Sequence, residues 1–246
     1  MRSSYFPVSL GAFRLGPVPT LFDAHPNPAR RPDRVVREGI VHLPAFLTME
    51  QQEQVVSTAR EYARRTASLP WGMRQRRVKS GTMSAHLMSL GEHWDYERHR
   101  YIRGEGSQAV PAIPETFVGI AHAVLRMAGE LDESLAPWVA GFRVEAALVN
   151  YYPPGSGMGL HQDGYEDSGA PVVSLSIGDS AVFRAGGTID RNKPWDDIYL
   201  ESGDALVFGG PARDIFHGIV RLDDNTAPMG CGLRQGRINV TFRQVR

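Results

Sequence analysis

The chain has 246 residues, 42% of them hydrophobic, with 27 basic and 27 acidic side chains. That length suits one large domain or two small ones, and zero net charge excludes a uniformly basic nucleic-acid binder while leaving room for local patches. One cysteine, Cys231, excludes an internal disulfide, and no apolar run approaches the roughly 20 residues of a membrane span, so a cytoplasmic protein without membrane contact is expected; a monomer is expected as well.

Residues 1–34, rich in Pro and Arg and without periodicity, read as an extended arm, and residues 35–246 as one domain. A short strand is predicted over 39–43. Thr48, with Gln51 three residues on, forms a capping box and predicts a helix over 49–65 with Val55, Ala59 and Tyr62 on one face. Residues 69–112 follow no period and read as an irregular segment. Pro114 opens a second helix whose apolar face carries Phe117, Ile120, Ala121, Val124, Leu125 and Met127.

The pattern then changes to short strands, at 143–151, 172–177, 181–184, 197–201, 205–208, 215–220 and 237–244. Gly-rich turns separate them. The chain is therefore α+β and mainly β, with a sandwich or jelly-roll core over about 140–246 and two helices against it.

His161-Gln162-Asp163 carries the strongest chemical signal. Residues two apart in a strand point to one side, so His161 and Asp163 can reach one ion. His217, in a β-like segment downstream, can supply a third ligand. Two imidazoles and a carboxylate suit Fe(II), Mn(II) or Zn(II), and three protein ligands leave positions open for catalysis. Taken singly, each histidine is more simply an ordinary one, as we read His25, His42, His86, His93, His99 and His122; the joint pattern singles out the three.

Arg237, Asn239, Thr241 and Arg243 alternate with Ile238, Val240 and Phe242. Two arginines facing a strand-rich core are costly unless paired. No acidic run supplies partners, whereas a bound dicarboxylate would, because its oxygens match the guanidinium fork. Asn150 and Tyr152, again two apart, can donate to the same ligand.

Between Arg60 and Arg103, basic residues outnumber acidic ones by six in a chain of zero net charge. Such a local excess suits phosphate contacts. Trp94, Tyr96 and Tyr101 lie among these charges, and each aromatic can stack a base for roughly 1–3 kcal/mol. Arg60, Arg64 and Arg65 also fit the solvated face of the first helix.

Taken in order, Asn150-Tyr151-Tyr152-Pro153-Pro154-Gly155, His161-Gln162-Asp163, the 171–178 stretch, Gly203-Asp204, His217-Gly218-Ile219 and the closing 237–244 run resemble the AlkB family. These are Fe(II)/2-oxoglutarate dioxygenases that repair alkylated nucleic acid. The resemblance implies a double-stranded β-helix core under a nucleotide-recognition lid. It implies iron at His161, Asp163 and His217, with 2-oxoglutarate at Asn150, Tyr152, Arg237, Asn239 and Arg243. It places Met83, Trp94, Tyr101 and Arg191 near the base. Tyr165 stands where the best-known bacterial member carries an Asp. The implied reaction is oxidative dealkylation of bases such as 1-methyladenine and 3-methylcytosine in DNA or RNA, single strands before duplex, consuming O2. The rival expectations are a 2-oxoglutarate-dependent hydroxylase of proteins or small molecules, and a non-catalytic nucleic-acid-binding module.

Overall fold

The computed structural model describes residues 31–78, 81–95 and 98–246. Residues 1–30 of the expected arm lie outside them, as do Lys79 and Tyr96 of the basic segment. In chain order the elements are β1 (Arg34–Arg37), β2 (Ile40–Leu43), α1 (Met49–Arg65), β3 (Arg74–Val78), β4 (Gly81–Leu90), β5 (His93–Asp95), β6 (Arg100–Ile102) and α2 (Glu115–Leu131). There follow β7 (Ala146–Tyr152), β8 (Met158–His161), β9 (Val172–Gly178), β10 (Ser180–Ala185), β11 (Asp196–Leu200), β12 (Ala205–Phe208), β13 (His217–Asp223) and β14 (Arg237–Arg243).

An eight-stranded antiparallel sheet runs β1-β2-β12-β9-β14-β7-β4-β3, and a four-stranded sheet runs β11-β10-β13-β8. Both sheets contribute to one apolar core, Phe208, Leu206 and Val172 from the first meeting Phe183, Ile198 and Leu200 from the second. Strands distant in sequence become neighbours, as β9 does between β12 and β14, which is the jelly-roll arrangement.

The capping box forms as the sequence predicts. Thr48 accepts from the Gln51 amide, and the Gln51 side chain accepts from the Thr48 amide at 2.9 Å. Helix α2 packs on β2, β9 and β12 of the large sheet, and Phe117 meets Phe242 edge-on at 6.2 Å. The large sheet is thus covered on both faces, and every residue of β9 is buried. Alternation divides the labour: Val173, Leu175 and Ile177 share one face of β9, while Ser174 and Ser176 share the other. Along β14, Ile238, Val240 and Phe242 turn to the helix side and Arg237, Asn239, Thr241 and Arg243 to the interior. Burying each large apolar side chain stabilises by about 1.5–3 kcal/mol, which offsets the placement of polar groups opposite.

Two expectations need revision. The segment expected to be irregular supplies β3 and β4 of the large sheet, and β4 pairs with β7 from His86↔Tyr151 to Leu90↔Ala147. Only β5 and β6 stand apart, as a hairpin. The arm, expected to reach residue 34, gives way earlier: Arg31 bonds Asp204 at 2.7 Å, and β1 begins at Arg34.

Candidate metal centre and anion pocket

Register creates the site. His217 of β13 pairs directly with His161 of β8, placing the two rings 4.5 Å apart. Such close approach needs Gly218, since a Cβ there would lie 2.5 Å from the Met158 carbonyl oxygen. Asp163 was expected inside the same strand as His161. It lies instead two residues past the end of β8, in irregular chain. Its carboxylate still reaches both histidines, at 3.9 Å from His161 Nε2 and 3.8 Å from His217 Nε2. Gln162, between the ligands, points the other way. It donates to the carbonyls of Thr188 and Asp214 and holds this segment to neighbouring loops.

The donor set fits a divalent metal. Each ring uses Nδ1 to donate to a carbonyl, His161 to Gly159 at 2.9 Å and His217 to Ile215 at 3.1 Å. That fixes the tautomer and leaves both Nε2 lone pairs directed at the carboxylate, the usual second layer around a metal-binding histidine. The three candidate ligand atoms lie within 4.8 Å of one another. Burial between Phe183 and Phe208 lowers the His217 imidazole to about 4, so it is neutral at pH 7 and able to ligate. Burial would raise the Asp163 carboxyl, but Arg243, His217 and His161 outweigh it and hold it well below the usual carboxylate range.

Behind this cluster lies the anion pocket. Register again decides it: Arg237 pairs with Tyr152 and Asn239 with Asn150, so all four side chains share one face. Asn150 Nδ2 donates to Asn239 Oδ1 at 3.0 Å, and Asn239 Nδ2 donates to Ser174 Oγ at 2.6 Å. Arg237 is wholly buried and donates to Ser176 Oγ at 2.5 Å. No carboxylate forms an ion pair with it among the described residues, and its Nε and the nearby Asn150 Oδ1 have no hydrogen-bond partner. Burial lowers its guanidinium to about 10. A cation held this way fits an anionic ligand. Arg243 differs, because Asp163 accepts from it at 2.6 Å and Glu166 lies 3.5 Å away. The expectation that both arginines lack acidic partners therefore holds for Arg237 alone.

One cavity of about 720 Å³ joins these parts, and every described residue that the sequence assigns to the metal, 2-oxoglutarate or the base lines it. On its lining Tyr165 stacks on Trp94, with ring centroids 4.1 Å apart and planes 18° from parallel, and Tyr101 meets Trp94 edge-on at 5.4 Å. Tyr165 is 53% exposed. Arg191 is exposed and lies over the Phe216 ring at 5.4 Å. Part of the basic excess is already spent, Arg98 on Asp95 and Arg103 on Glu92.

Sequence reading missed Glu166, Arg213, Ser174 and Ser176. The two serines left a legible trace, polar residues alternating with Val173, Leu175 and Ile177 in a strand buried on both faces. Glu166 and Arg213 left none, because a loop and a distant turn bring them together.

A jelly roll carrying a His-x-Asp and distant-His cluster beside a buried, unpaired arginine defines the 2-oxoglutarate oxygenase class. The sequence profile described as 2OG-Fe(II) oxygenase superfamily matches residues 39–243. The Arabidopsis thaliana protein named DNA N(6)-methyladenine demethylase ALKBH1D is 36% identical over 229 residues, covering 85% of this chain and 50% of that protein. Alpha-ketoglutarate-dependent dioxygenase AlkB of Salmonella typhimurium is 37% identical over 169 residues, covering 66% of this chain and 72% of that protein. The solved structure of OsALKBH1 aligns with a TM-score of 0.74 at 32% identity, over 87% of this chain and 100% of that one. The chain belongs to the 2OG-Fe(II) oxygenase superfamily and, within it, to the AlkB family. It spans about half the length of the two ALKBH1 relatives from Arabidopsis thaliana that match most of it. No helix among the described residues is long and apolar enough to cross a membrane.

Proposed function

We propose that this protein removes N-alkyl groups from nucleobases by oxidation, consuming O2 and 2-oxoglutarate and releasing succinate, carbon dioxide and formaldehyde. The carrying observation is the single cavity that joins the His161–Asp163–His217 cluster, the unpaired Arg237 and the Trp94–Tyr165 stack. Fe(II), when bound by the three ligands, supplies with 2-oxoglutarate and O2 the oxidising power that hydroxylates the alkyl carbon. The chain's own work is placement. Arg237 takes one carboxylate of 2-oxoglutarate through its fork, Tyr152 and the second Nδ2 hydrogen of Asn150 donate to the ligand's remaining oxygens, and Asn239, whose Nδ2 is taken up by Ser174 and Leu175, holds Asn150 in place beside them. Arg243 keeps Asp163 oriented and closes the pocket from the other side. Phe183 and Phe208 pack against the His217 ring and give that side of the centre an apolar wall.

At the outer part of the cavity, Trp94 offers a flat face for a base taken out of its stack, with Met83, Tyr101 and Arg191 around that base. Substrates in this reading are N-methylated adenines and cytosines, including 1-methyladenine, 3-methylcytosine and the N6-methyladenine of the plant relatives' names, in DNA or RNA and in single strands before duplex. A monomer in a reducing, cytoplasmic compartment is part of the same proposal, and the buried free thiol of Cys231 fits it.

Purified protein with Fe(II) and 2-oxoglutarate is expected to release formaldehyde from methylated single-stranded DNA, with duplex DNA and tRNA as parallel substrates. His161→Ala and Asp163→Ala are expected to abolish release. Turnover that survives in both variants would contradict the assignment.

A further inference from the structure

Glu166 lies one residue past Tyr165, and the chemistry above gives it no task. Its side chain is only 2% exposed. A buried carboxylate costs several kcal/mol unless paired, and this one is paired on three sides. Oε2 accepts from Arg213 Nη2 at 2.9 Å. Oε1 accepts from the Tyr101 hydroxyl and lies 3.5 Å from Arg243 Nε. Arg243 also donates to Asp163 Oδ2, from Nη2 at 2.6 Å and from Nε at 3.2 Å. Its guanidinium thus lies between two carboxylates, one a candidate metal ligand and the other not.

Arg213 braces the same segment. It donates to the backbone carbonyl of Asp163 and to that of Ala170, both at 2.8 Å. Asp163 is fixed through its carbonyl by Arg213 and through its side chain by Arg243, and Glu166 holds both arginines.

Sharing matters for the metal. With Glu166 present, Arg243 divides its attraction and leaves Asp163 available to a cation. Without it, Arg243 draws on Asp163 alone and competes with the metal for that carboxylate. The cluster also loses a negative charge that helps hold a dication. Both effects weaken metal binding.

Tyr101 extends the chain of contacts outward. It belongs to β6 of the lid hairpin, where its ring meets Trp94, and its hydroxyl ends on Glu166. Burial, together with Glu166 and Asp163, raises that phenol against the opposing pull of Arg243, so it stays protonated and donates.

We propose that Glu166 is a positioning residue for the metal carboxylate Asp163, and that Tyr101 links it to the lid, so that occupancy of the lid and of the metal site favour each other. The link to the lid rests on the nucleobase reading above; the positioning role does not.

Mn(II) titrated into metal-free protein, with heat or electron paramagnetic resonance as the readout and no turnover, tests both parts. Glu166→Gln is expected to bind Mn(II) about 10–100-fold more weakly, the usual range for partners of metal ligands. Glu166→Asp, one methylene short of Arg243, is expected to fall between. Thermal unfolding is followed alongside; should Glu166→Gln fail to fold, Glu166→Asp and Tyr101→Phe still decide. Tyr101→Phe keeps every charge and is expected to keep the Mn(II) affinity of the free protein. It is expected to lose the tightening of Mn(II) that a saturating methylated single-stranded oligonucleotide produces in the wild type, since coupling between two sites is reciprocal.

Unchanged Mn(II) affinity in the folded Glu166 variants overturns the positioning role. A wild type that shows no tightening, or a Tyr101→Phe variant that keeps it in full, overturns the link. Wild-type protein that releases no formaldehyde from any methylated oligonucleotide, while Glu166 variants still lose Mn(II), overturns the nucleobase reading and leaves the positioning role standing.

Discussion

Asp179 and Arg237 lie side by side at one end of the jelly roll, both wholly buried, and the protein treats them in opposite ways. Asp179 accepts from three backbone amides: Thr226 at 2.9 Å, Ala227 at 2.8 Å and Gly236 at 2.7 Å. Those bonds tie the loop before β14 to the corner between β9 and β10. Arg237 donates to a serine hydroxyl at 2.5 Å and, weakly, to the Asp179 carbonyl at 3.4 Å, and its Nε has no partner. A buried charge completed by backbone is architecture, because folding itself supplies the partners. A buried charge left incomplete is costly in the free protein, and such a cost makes physical sense where a ligand completes it.

If that contrast is right, removing either charge has opposite consequences. Asp179→Ala strands the buried Gly236 amide, at about 1–3 kcal/mol, and releases the part-buried amides of Thr226 and Ala227, so it is expected to destabilise by about 1–3 kcal/mol in chemical denaturation. Arg237→Met removes a buried charge whose burial the free protein does not offset. Replacing such ions by apolar groups is often neutral or stabilising, so its unfolding midpoint is expected to hold or rise. Its 2-oxoglutarate affinity is expected to fall roughly 10–100-fold, the loss of a charged hydrogen bond of about 1.5–3 kcal/mol.

Acid sharpens the comparison next. Asp204 belongs to the architectural kind. Burial would raise its carboxyl, but His42 and the amides of Ala45 and Glu201 hold it below the usual carboxylate range. Its folded pKa is therefore lower than its unfolded one. The stability it contributes is complete above about pH 4 and is lost as pH falls through the lower, folded value. Urea midpoints measured against pH are expected to drop less steeply on the acid side in Asp204→Asn than in the wild type.

The smallest effect concerns the outer part of the cavity. Tyr165 lies on the face of Trp94 that a base needs. An aromatic pair contributes about 0.5–1.5 kcal/mol, so Tyr165→Ala is expected to tighten methylated single-stranded DNA by up to about tenfold. Fluorescence anisotropy reads this directly, and weaker binding would mean that the ring is a wall of the base site.

The helices and the β14 face were legible in the sequence because their signals are local. A capping box needs only Thr48 and Gln51, and alternation along 237–243 needs only one strand. The lid was less legible. β3 reads Arg-Gln-Arg-Arg-Val, with no apolar alternation to betray a strand at the sheet edge. A period of two puts Asp163 in the strand with His161, whereas the irregular chain just past β8 brings its carboxylate to the same point. Glu166 and Arg213 become partners only through loop packing, which no window of sequence contains, whereas the serines of β9 are marked by local alternation and only their partners depend on long-range register. That is also why the arginines at 237 and 243 looked alike in the sequence and differ in the fold.

The account turns on Arg237 being held incomplete for 2-oxoglutarate. Isothermal titration of 2-oxoglutarate into Mn(II)-loaded wild type and Arg237→Met, with unfolding midpoints on the same samples, tests this most directly. One equivalent is expected to bind to the wild type, and the variant is expected to bind it roughly 10–100-fold more weakly while remaining at least as stable. A variant that binds 2-oxoglutarate as tightly as the wild type, or that unfolds as readily as Asp179→Ala, would contradict it.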